Sequence, residues 1–157
     1  MKVAFIGLQH WHVPFYLEAL ENIDQPVAAI ADVDGDYVQR TAELVDAAEY
    51  TDYEKMVDEV DPDLIFAHAP HDEMTDLAGW LVDHDLPFHM EKPMGISWKK
   101  LAEVAREANE KDLWNGVALV NRQYGLIQHL HELGDDMGDV GRYYYGLFAG
   151  PPSRYPD

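Results

Sequence analysis

The chain of 157 residues contains no cysteine, and its 11 lysines and arginines stand against 30 aspartates and glutamates. Without cysteine it can form neither a disulfide framework nor a thiolate zinc site. A net charge of −19 disfavours binding to nucleic acids and to anionic membranes, because both need basic side chains. No apolar run approaches the ~18 residues of a membrane span, and no charged-then-apolar leader precedes the first apolar run. We therefore expect a cytoplasmic protein.

The acidic residues are dispersed along the chain rather than gathered in a tail, and 47% of all residues are hydrophobic. This hydrophobic content favours one folded core over disorder. A dispersed acidic coat with few lysines is typical of proteins from salt-accumulating halophiles, in which molar salt screens the repulsion between like charges. An acidic protein from an organism of ordinary salinity is the alternative.

Short apolar runs alternate with amphipathic segments along most of the chain. The pattern predicts strands at 3–6, 26–31, 63–67, 86–90 and 113–120, and helices at 14–20, 36–48, 53–60, 72–85, 97–110 and 124–133. Strands that alternate with helices form parallel β–α–β units, so we predict an α/β fold with a doubly wound parallel sheet. Such sheets bind ligands beyond the carboxyl ends of their strands, where the strand order reverses.

The turn after the first strand has the place of a dinucleotide-binding turn but not its full glycine signature. At the three glycine positions of the pattern Gly-x-Gly-x-x-Gly, this chain has Gly7, Gln9 and His12. In such turns the pyrophosphate lies at the positive end of the following helix. The second glycine lets the pyrophosphate approach the backbone closely, and the third lets the helix pack against the strand. The stretch is therefore either a cofactor turn or a plain connecting loop.

Asp32 ends the second predicted strand. An acid at this place accepts hydrogen bonds from both hydroxyls of an adenosine ribose and repels a 2′-phosphate, which favours NAD over NADP. Arg40 lies far along the next predicted helix, so no nearby arginine is available to a phosphate. The alternative is a strand-end acid that faces solvent.

Glu91-Lys92-Pro93 directly follows the fourth predicted strand, at the edge of the sheet where ligands bind. A lysine in such a crevice is a candidate proton donor or positioning cation. Glu91 is placed to hold its ammonium, and Pro93 suits a cis bond that turns the chain sharply. An ordinary ion pair at a strand end is the alternative.

Histidines also gather at this predicted edge. They are His10, His12, His68, His71 and His89. Imidazoles suit zinc and similar ions, but the five lack a regular ligand spacing. We therefore predict hydrogen bonding in a cofactor loop, or packing, and no metal.

The ordered motifs resemble those of the glucose–fructose oxidoreductase, inositol dehydrogenase and MocA (Gfo/Idh/MocA) family. The motifs are IGLQHWH, AAIADVD, DPDLIFAHAPH and PFHMEKPMGIS. The resemblance implies a Rossmann NAD(P)-binding domain over residues 1–120, followed by a mostly antiparallel α/β domain. It further implies hydride transfer at a carbon of a sugar, inositol or related polyol, and association into a homo-oligomer through the second domain.

By position, the resemblance also implies roles for particular residues. Lys92 is the expected catalytic residue, and Arg122 is a candidate substrate contact. The expected cofactor contacts are Gly7, Leu8, Gln9, His10, Trp11, His12, Asp32, Ala69, Pro70, His71 and Glu91. Met74 stands about where many members have histidine.

Residues 121–157 break the alternation of strands and helices. We predict that they form a crossover helix and, at 142–148, the first strand of a second domain that is otherwise missing. Members of the family are much longer, and their remaining catalytic groups belong to that domain. The chain is thus expected to be mainly the cofactor-binding part of the enzyme.

Three functions remain open on the sequence alone. The first is an NAD(P)-dependent oxidoreductase that acts on a sugar-like or polyol substrate. The second is a non-catalytic binding or sensor module whose phosphate loop has degenerated. The third is a metal-dependent enzyme that uses the histidine edge.

The acidic composition yields a prediction about salt. Thermal melting of the purified chain should show a clearly higher midpoint in molar KCl than in dilute buffer, because salt screens the repulsion within a chain of charge −19. Undiminished stability in low salt would contradict the halophile interpretation.

Overall fold

The structure is a computed structural model, and it describes residues 1–134. Residues 1–118 form one compact unit, and the chain from residue 119 belongs to another. The first unit contains, in chain order, β1 (Val3–Ile6), α1 (Val13–Glu21), β2 (Val27–Ala31), α2 (Gly35–Ala42), β3 (Ala48–Tyr50), α3 (Tyr53–Val60), β4 (Leu64–Ala67), α4 (Met74–Asp83), β5 (Phe88–Met90), α5 (Trp98–Glu110) and β6 (Asn115–Val117).

The six strands are parallel and lie in the order β3-β2-β1-β4-β5-β6. The chain builds outward from β1 to β3, crosses back to β4 beside β1, and then builds outward to β6. The strand order therefore reverses between β1 and β4, which is where doubly wound sheets bind ligands. The predicted α/β class and doubly wound sheet are confirmed.

The core lies on both faces of this sheet. All four residues of β1 are buried, because helices cover both sides of a doubly wound sheet. Val3 and Phe5 belong to the cluster that contains the buried face of α1. Ala4 and Ile6 belong to the cluster that contains the buried face of α4. Successive side chains of β1 therefore pack alternately into two core layers, one on each face of the sheet.

The predicted helix over 36–48 is wrong in its second half. α2 ends at Ala42, and the unpredicted strand β3 follows at Ala48–Tyr50. Among residues 1–134, β3 pairs with β2 alone and forms the edge of the sheet, and two of its three residues are exposed. A short, exposed edge strand lacks the apolar run by which a buried strand is recognised.

Other boundaries shift at the ends of elements. The strand predicted at 113–120 is reduced to β6, and Val120–Gln123 forms a 3-10 turn instead. Asp52 caps α3: its side chain accepts hydrogen bonds from the backbone N–H groups of Glu54 and Lys55 at 3.0 and 3.2 Å. Ser97 precedes α5, but its side chain makes no capping hydrogen bond.

In the second unit, the described residues form the 3-10 turn and the helix α6 (Gly125–Glu132). The strand predicted at 142–148 lies outside the described residues. That residues 121–157 open a second domain stays a prediction. Within residues 1–134, no helix is long and apolar enough to cross a membrane.

Gly7 joins β1 to the turn before α1, and only glycine fits there. Its φ is +77°, in the left-handed region. A Cβ atom at this position would overlap the backbone carbonyl of His68, which follows β4. Its own N–H donates to the carbonyl oxygen of Ala31 at 2.9 Å, so the turn is held closely against the ends of both neighbouring strands.

This close approach predicts different effects for two glycine substitutions. Gly7→Ala should lower the free energy of unfolding by at least ~1–3 kcal/mol, the usual cost of a strained backbone position. Gly79→Ala, within α4, is the matched control, because a Cβ atom there makes an ordinary 3.7 Å contact with the side chain of Val104 and alanine is favoured over glycine inside a helix by ~0.5–1 kcal/mol. Denaturant unfolding of both variants checks this, and equal stabilities would contradict it.

Candidate functional site

A cleft of about 850 Å³ opens at the carboxyl ends of β1, β2 and β4, at the point where the strand order reverses. Seven of the predicted cofactor contacts line it: Gly7, Gln9, His10, Asp32, Ala69, Pro70 and His71. Leu8, Trp11, His12 and Glu91 were predicted as contacts but are not among the lining residues. The predicted contacts that line the cleft therefore come from the loops after three different strands, β1, β2 and β4.

Asp32 is buried at the end of β2, with 6% of its surface exposed. Its Oδ2 accepts a 2.6 Å hydrogen bond from the backbone N–H of Leu8, and its Oδ1 accepts from the backbone N–H of Asp34 at 2.9 Å. A buried carboxylate needs such donors to offset its lost hydration. Asp32 therefore connects the turn after β1 to the loop after β2.

The two side chains that replace glycines both turn toward carboxylates. The side-chain amide of Gln9 donates to Oδ1 of Asp32 at 3.0 Å. The Nδ1 atom of His12 lies 2.5 Å from Oε2 of Glu91. His12 precedes α1 directly but makes no side-chain capping bond to it, so its ring reaches across to β5 instead of filling the cleft.

Glu91 is almost fully buried, with 2% of its surface exposed. Besides the contact with His12, its Oε2 accepts from the hydroxyl of Tyr16, and its Oε1 accepts from the backbone N–H of Lys92, both at 2.9 Å. Burial alone raises the pKa of this carboxyl, but the hydrogen bonds from His12, Lys92 and Tyr16 outweigh it and hold the pKa below its usual value.

The same contact acts in the opposite direction on Tyr16. Burial, and then the nearby Glu91 carboxylate, raise the pKa of the Tyr16 hydroxyl well above its usual value. The hydroxyl therefore stays protonated and can donate to Glu91 throughout the ordinary pH range.

Two histidines stand between the cleft and Glu91. The rings of His10 and His68 are stacked, with centroids 5.5 Å apart. Burial lowers the pKa of both imidazoles, that of His68 to about 4, so both are neutral at pH 7. The Nδ1 atom of His68 is buried and, among residues 1–134, has no hydrogen-bond partner.

Lys92 follows Glu91 at the end of β5, and its ammonium is 4.0 Å from Oε1 of Glu91. About half of the lysine side chain is exposed, so Nζ is free to meet a ligand. The Lys92–Pro93 bond is cis. The sulfur of Met74 accepts a 3.1 Å hydrogen bond from the backbone N–H of Ala69.

The geometry and the sequence point to the same family. The family model described as an oxidoreductase family with an NAD-binding Rossmann fold, Gfo/Idh/MocA, matches residues 1–118. The chain belongs to this family. No curated protein matches it.

Solved structures share the fold of this family member at low sequence identity. The WlbA dehydrogenase from Chromobacterium violaceum, in complex with NADH and UDP-GlcNAcA, superposes with a TM-score of 0.79 at 18% identity over 87% of this chain and 40% of that chain. Myo-inositol 2-dehydrogenase from Lactobacillus plantarum gives a TM-score of 0.74 at 22% identity over 90% and 42%. The chain therefore spans about two fifths of the length of these proteins.

Membership of the Gfo/Idh/MocA family confirms an NAD-binding Rossmann domain, and the cleft fits this cofactor. The buried Asp32 carboxylate faces the cleft at the end of β2, and the Gly7 turn leads directly into the positive end of α1. Arg122 lies in the 3-10 turn of the second unit. The roles of individual residues stay predictions.

Several residues of this site were missed by sequence reasoning. Thr51 and Tyr53 line the cleft, but the strand that precedes them, β3, was not predicted. Trp80 also lines it and meets Tyr53 edge to face with ring centroids 5.0 Å apart. Tyr16 falls on the predicted α1, and only its place one turn after His12 could have signalled a contact with Glu91.

The contacts of Glu91 predict a coupling between two substitutions. Tyr16→Phe should lower the free energy of unfolding by ~1.5–3 kcal/mol, because it removes a hydrogen bond to a charged group. Glu91→Leu should cost more, because it leaves several donors unpaired. The double variant should be little worse than Glu91→Leu alone. Denaturant unfolding in high salt measures all three, and fully additive costs would show that Tyr16 acts independently of Glu91.

Proposed function

We propose that this chain is the cofactor-binding part of an NAD-dependent oxidoreductase that moves hydride between nicotinamide and a carbinol carbon of a sugar, inositol or related polyol. Family membership supports the oxidoreductase class. The observation that carries the proposal for this chain is the buried Asp32, which faces the cleft beside the Gly7 turn. Solved structures of similar fold include two inositol dehydrogenases and a dehydrogenase in complex with NADH and UDP-GlcNAcA.

The cofactor is proposed to be NAD rather than NADP. The carboxylate of Asp32 would accept hydrogen bonds from ribose hydroxyls and would repel a 2′-phosphate. Val33, the next residue, is exposed and also lines the cleft, so no positive charge stands beside Asp32 in the chain.

Lys92 is proposed as the catalytic residue. When bound, NAD supplies the hydride acceptor or donor. The Lys92 ammonium would orient and polarise the substrate oxygen, while Glu91 holds the lysine backbone through the 2.9 Å hydrogen bond. The group that takes the hydroxyl proton is proposed to come from the part of the full-length protein that this chain does not cover, since relatives are more than twice as long.

A binding or sensor module remains the second candidate, and one observation favours it. The side-chain amide of Gln9 occupies an oxygen of Asp32 that a ribose hydroxyl would otherwise use. Such competition weakens cofactor binding without changing the fold. The cytoplasmic location, the homo-oligomer and the high-salt origin stay predictions.

NADH titration of the purified chain in molar KCl tests the proposal. Trp80 lines the cleft, so binding should quench tryptophan fluorescence and saturate at micromolar NADH, with NADPH weaker. Asp32→Ala should weaken NADH binding by roughly 10- to 100-fold, the loss of hydrogen bonds to a charged group. Asp36→Ala is the matched control, because it removes an equal but exposed charge nearby and should bind normally.

A second variant separates cofactor recognition from loss of fold. Asp32→Ser combined with Val33→Arg should shift preference toward NADPH, because an arginine can pair with the 2′-phosphate. No saturable binding of either dinucleotide by the folded chain would overturn the proposal. Equal affinities of the original chain for NADH and NADPH would overturn its cofactor preference alone.

A further inference from the structure

Three potential metal ligands converge where the neighbouring strands β1, β4 and β5 end. They are His10, His68 and Glu91, and one ligand atom from each lies within 4.8 Å of the other two. His68 and Glu91 are buried, with 3% and 2% of their surfaces exposed. The set is therefore unlike the exposed acidic groups that cover the rest of this chain.

The orphaned nitrogen of His68 points to a ligand at this place. Its Nδ1 atom is buried without a hydrogen-bond partner among residues 1–134, and such an atom costs ~1–3 kcal/mol when left unpaired. The ring stacks with those of Phe5 and His10, with centroid distances of 6.4 and 5.5 Å. A ligand bound at this nitrogen would offset the cost.

Glu91 is oriented in the way that ligating carboxylates usually are. His12 and Tyr16 occupy its Oε2, and the backbone N–H of Lys92 takes one site on Oε1. Because a carboxylate offers about four lone-pair sites, Oε1 keeps one for a further ligand. Hydrogen-bonded partners of this kind fix ligands around metal ions.

We propose that His10, His68 and Glu91 bind a divalent transition-metal ion, with zinc as the best match. Two imidazoles and one carboxylate form the protein ligand set of known zinc sites that keep an open fourth position. Magnesium and calcium prefer oxygen ligands, so the two imidazoles disfavour them. The proposal goes beyond the proposed function, because it needs no dinucleotide, and it replaces the expectation of no metal.

Binding requires a small closure of the three side chains. Ligand atoms ~2.1 Å from a tetrahedral ion are about 3.4 Å apart. The ligand atoms of His10, His68 and Glu91 lie within 4.8 Å of one another, so they must approach more closely to bind an ion. His10 lies on the loop before α1 and is only partly buried, so it is the ligand that moves. Its Nδ1 accepts a long, 3.2 Å hydrogen bond from the backbone N–H of His12, which coordination through this atom would displace.

A metal at this place would have a chemical consequence for the cleft. His10 and His68 line the cleft, so an open coordination position would face a ligand bound there. Such an ion acts as a Lewis acid toward an oxygen ligand. Lys92, whose ammonium is 4.0 Å from Oε1 of Glu91 and half-exposed, can turn into solvent when the cation binds.

Metal titration of the chain, stripped with a chelator and dialysed into molar KCl, tests the proposal. Calorimetry with Zn²⁺ should give one ion per chain, and Co²⁺ should give the visible absorption of a four- or five-coordinate site. His10→Gln and Glu91→Gln should each weaken Zn²⁺ binding by roughly 100-fold or more, because each removes one of three protein ligands. His84→Gln is the matched control, since His84 is an exposed histidine at the end of α4, and it should bind normally.

Circular dichroism establishes that each variant is folded. The side chain of His10 is partly exposed, so His10→Gln should fold even if replacing the buried Glu91 disrupts the structure. No saturable Zn²⁺ binding would overturn the proposal, as would binding that persists unchanged in His10→Gln and Glu91→Gln, which would place the ion on other histidines. NADH titration of the same metal-free samples separates the two proposals. NADH binding without Zn²⁺ binding overturns the metal site alone, and the reverse outcome overturns the proposed function alone.

Discussion

The shape of the cleft depends on the buried carboxylate of Asp32. It accepts hydrogen bonds from the backbone N–H groups of Leu8 and Asp34 and from the side chain of Gln9, and so it ties the turn after β1 to the loop after β2. Because a buried charge is costly without such donors, the two loops and the carboxylate stabilise one another. Gly7 makes this possible, since only a residue without Cβ lets the turn lie against the end of β4.

The two departures from the glycine signature follow the same logic. Gln9 turns to Asp32 and His12 turns to Glu91, so each substituted side chain contacts a buried acid at the end of another strand. The second carboxylate thereby receives donors from α1 as well as from its own loop. In turns with the full glycine signature, the glycines let the helix pack closely against the strand. In this turn, hydrogen bonds from the side chains of Gln9 and His12 stabilise the structure instead.

Much of the fold could be predicted from the sequence, because buried parallel strands such as β1 and β4 read as short apolar runs bounded by turns. β3 could not, since a three-residue edge strand with an exposed glutamate carries no such pattern. The placement of Asp32 and Glu91 at strand ends was visible, but their partners were not. The contacts of Tyr16 with Glu91, and of Tyr53 with Trp80, join elements distant in the chain, and no local pattern records them.

The bond between Gln9 and Asp32 also bears on how a cofactor would enter. Three donors already occupy the Asp32 carboxylate, and about four lone-pair sites exist, so one site is open and the Gln9 amide is the partner most easily exchanged. Its side chain is exposed and can be hydrated when released, whereas the two backbone N–H groups cannot move without unfolding the loops. A ribose with two hydroxyls would therefore take the open site and displace Gln9. On the proposed function, NAD binding at this turn would exchange one set of hydrogen bonds to the Asp32 carboxylate for another, and the bond from Gln9 would lower the affinity without contributing to the backbone contacts of the turn.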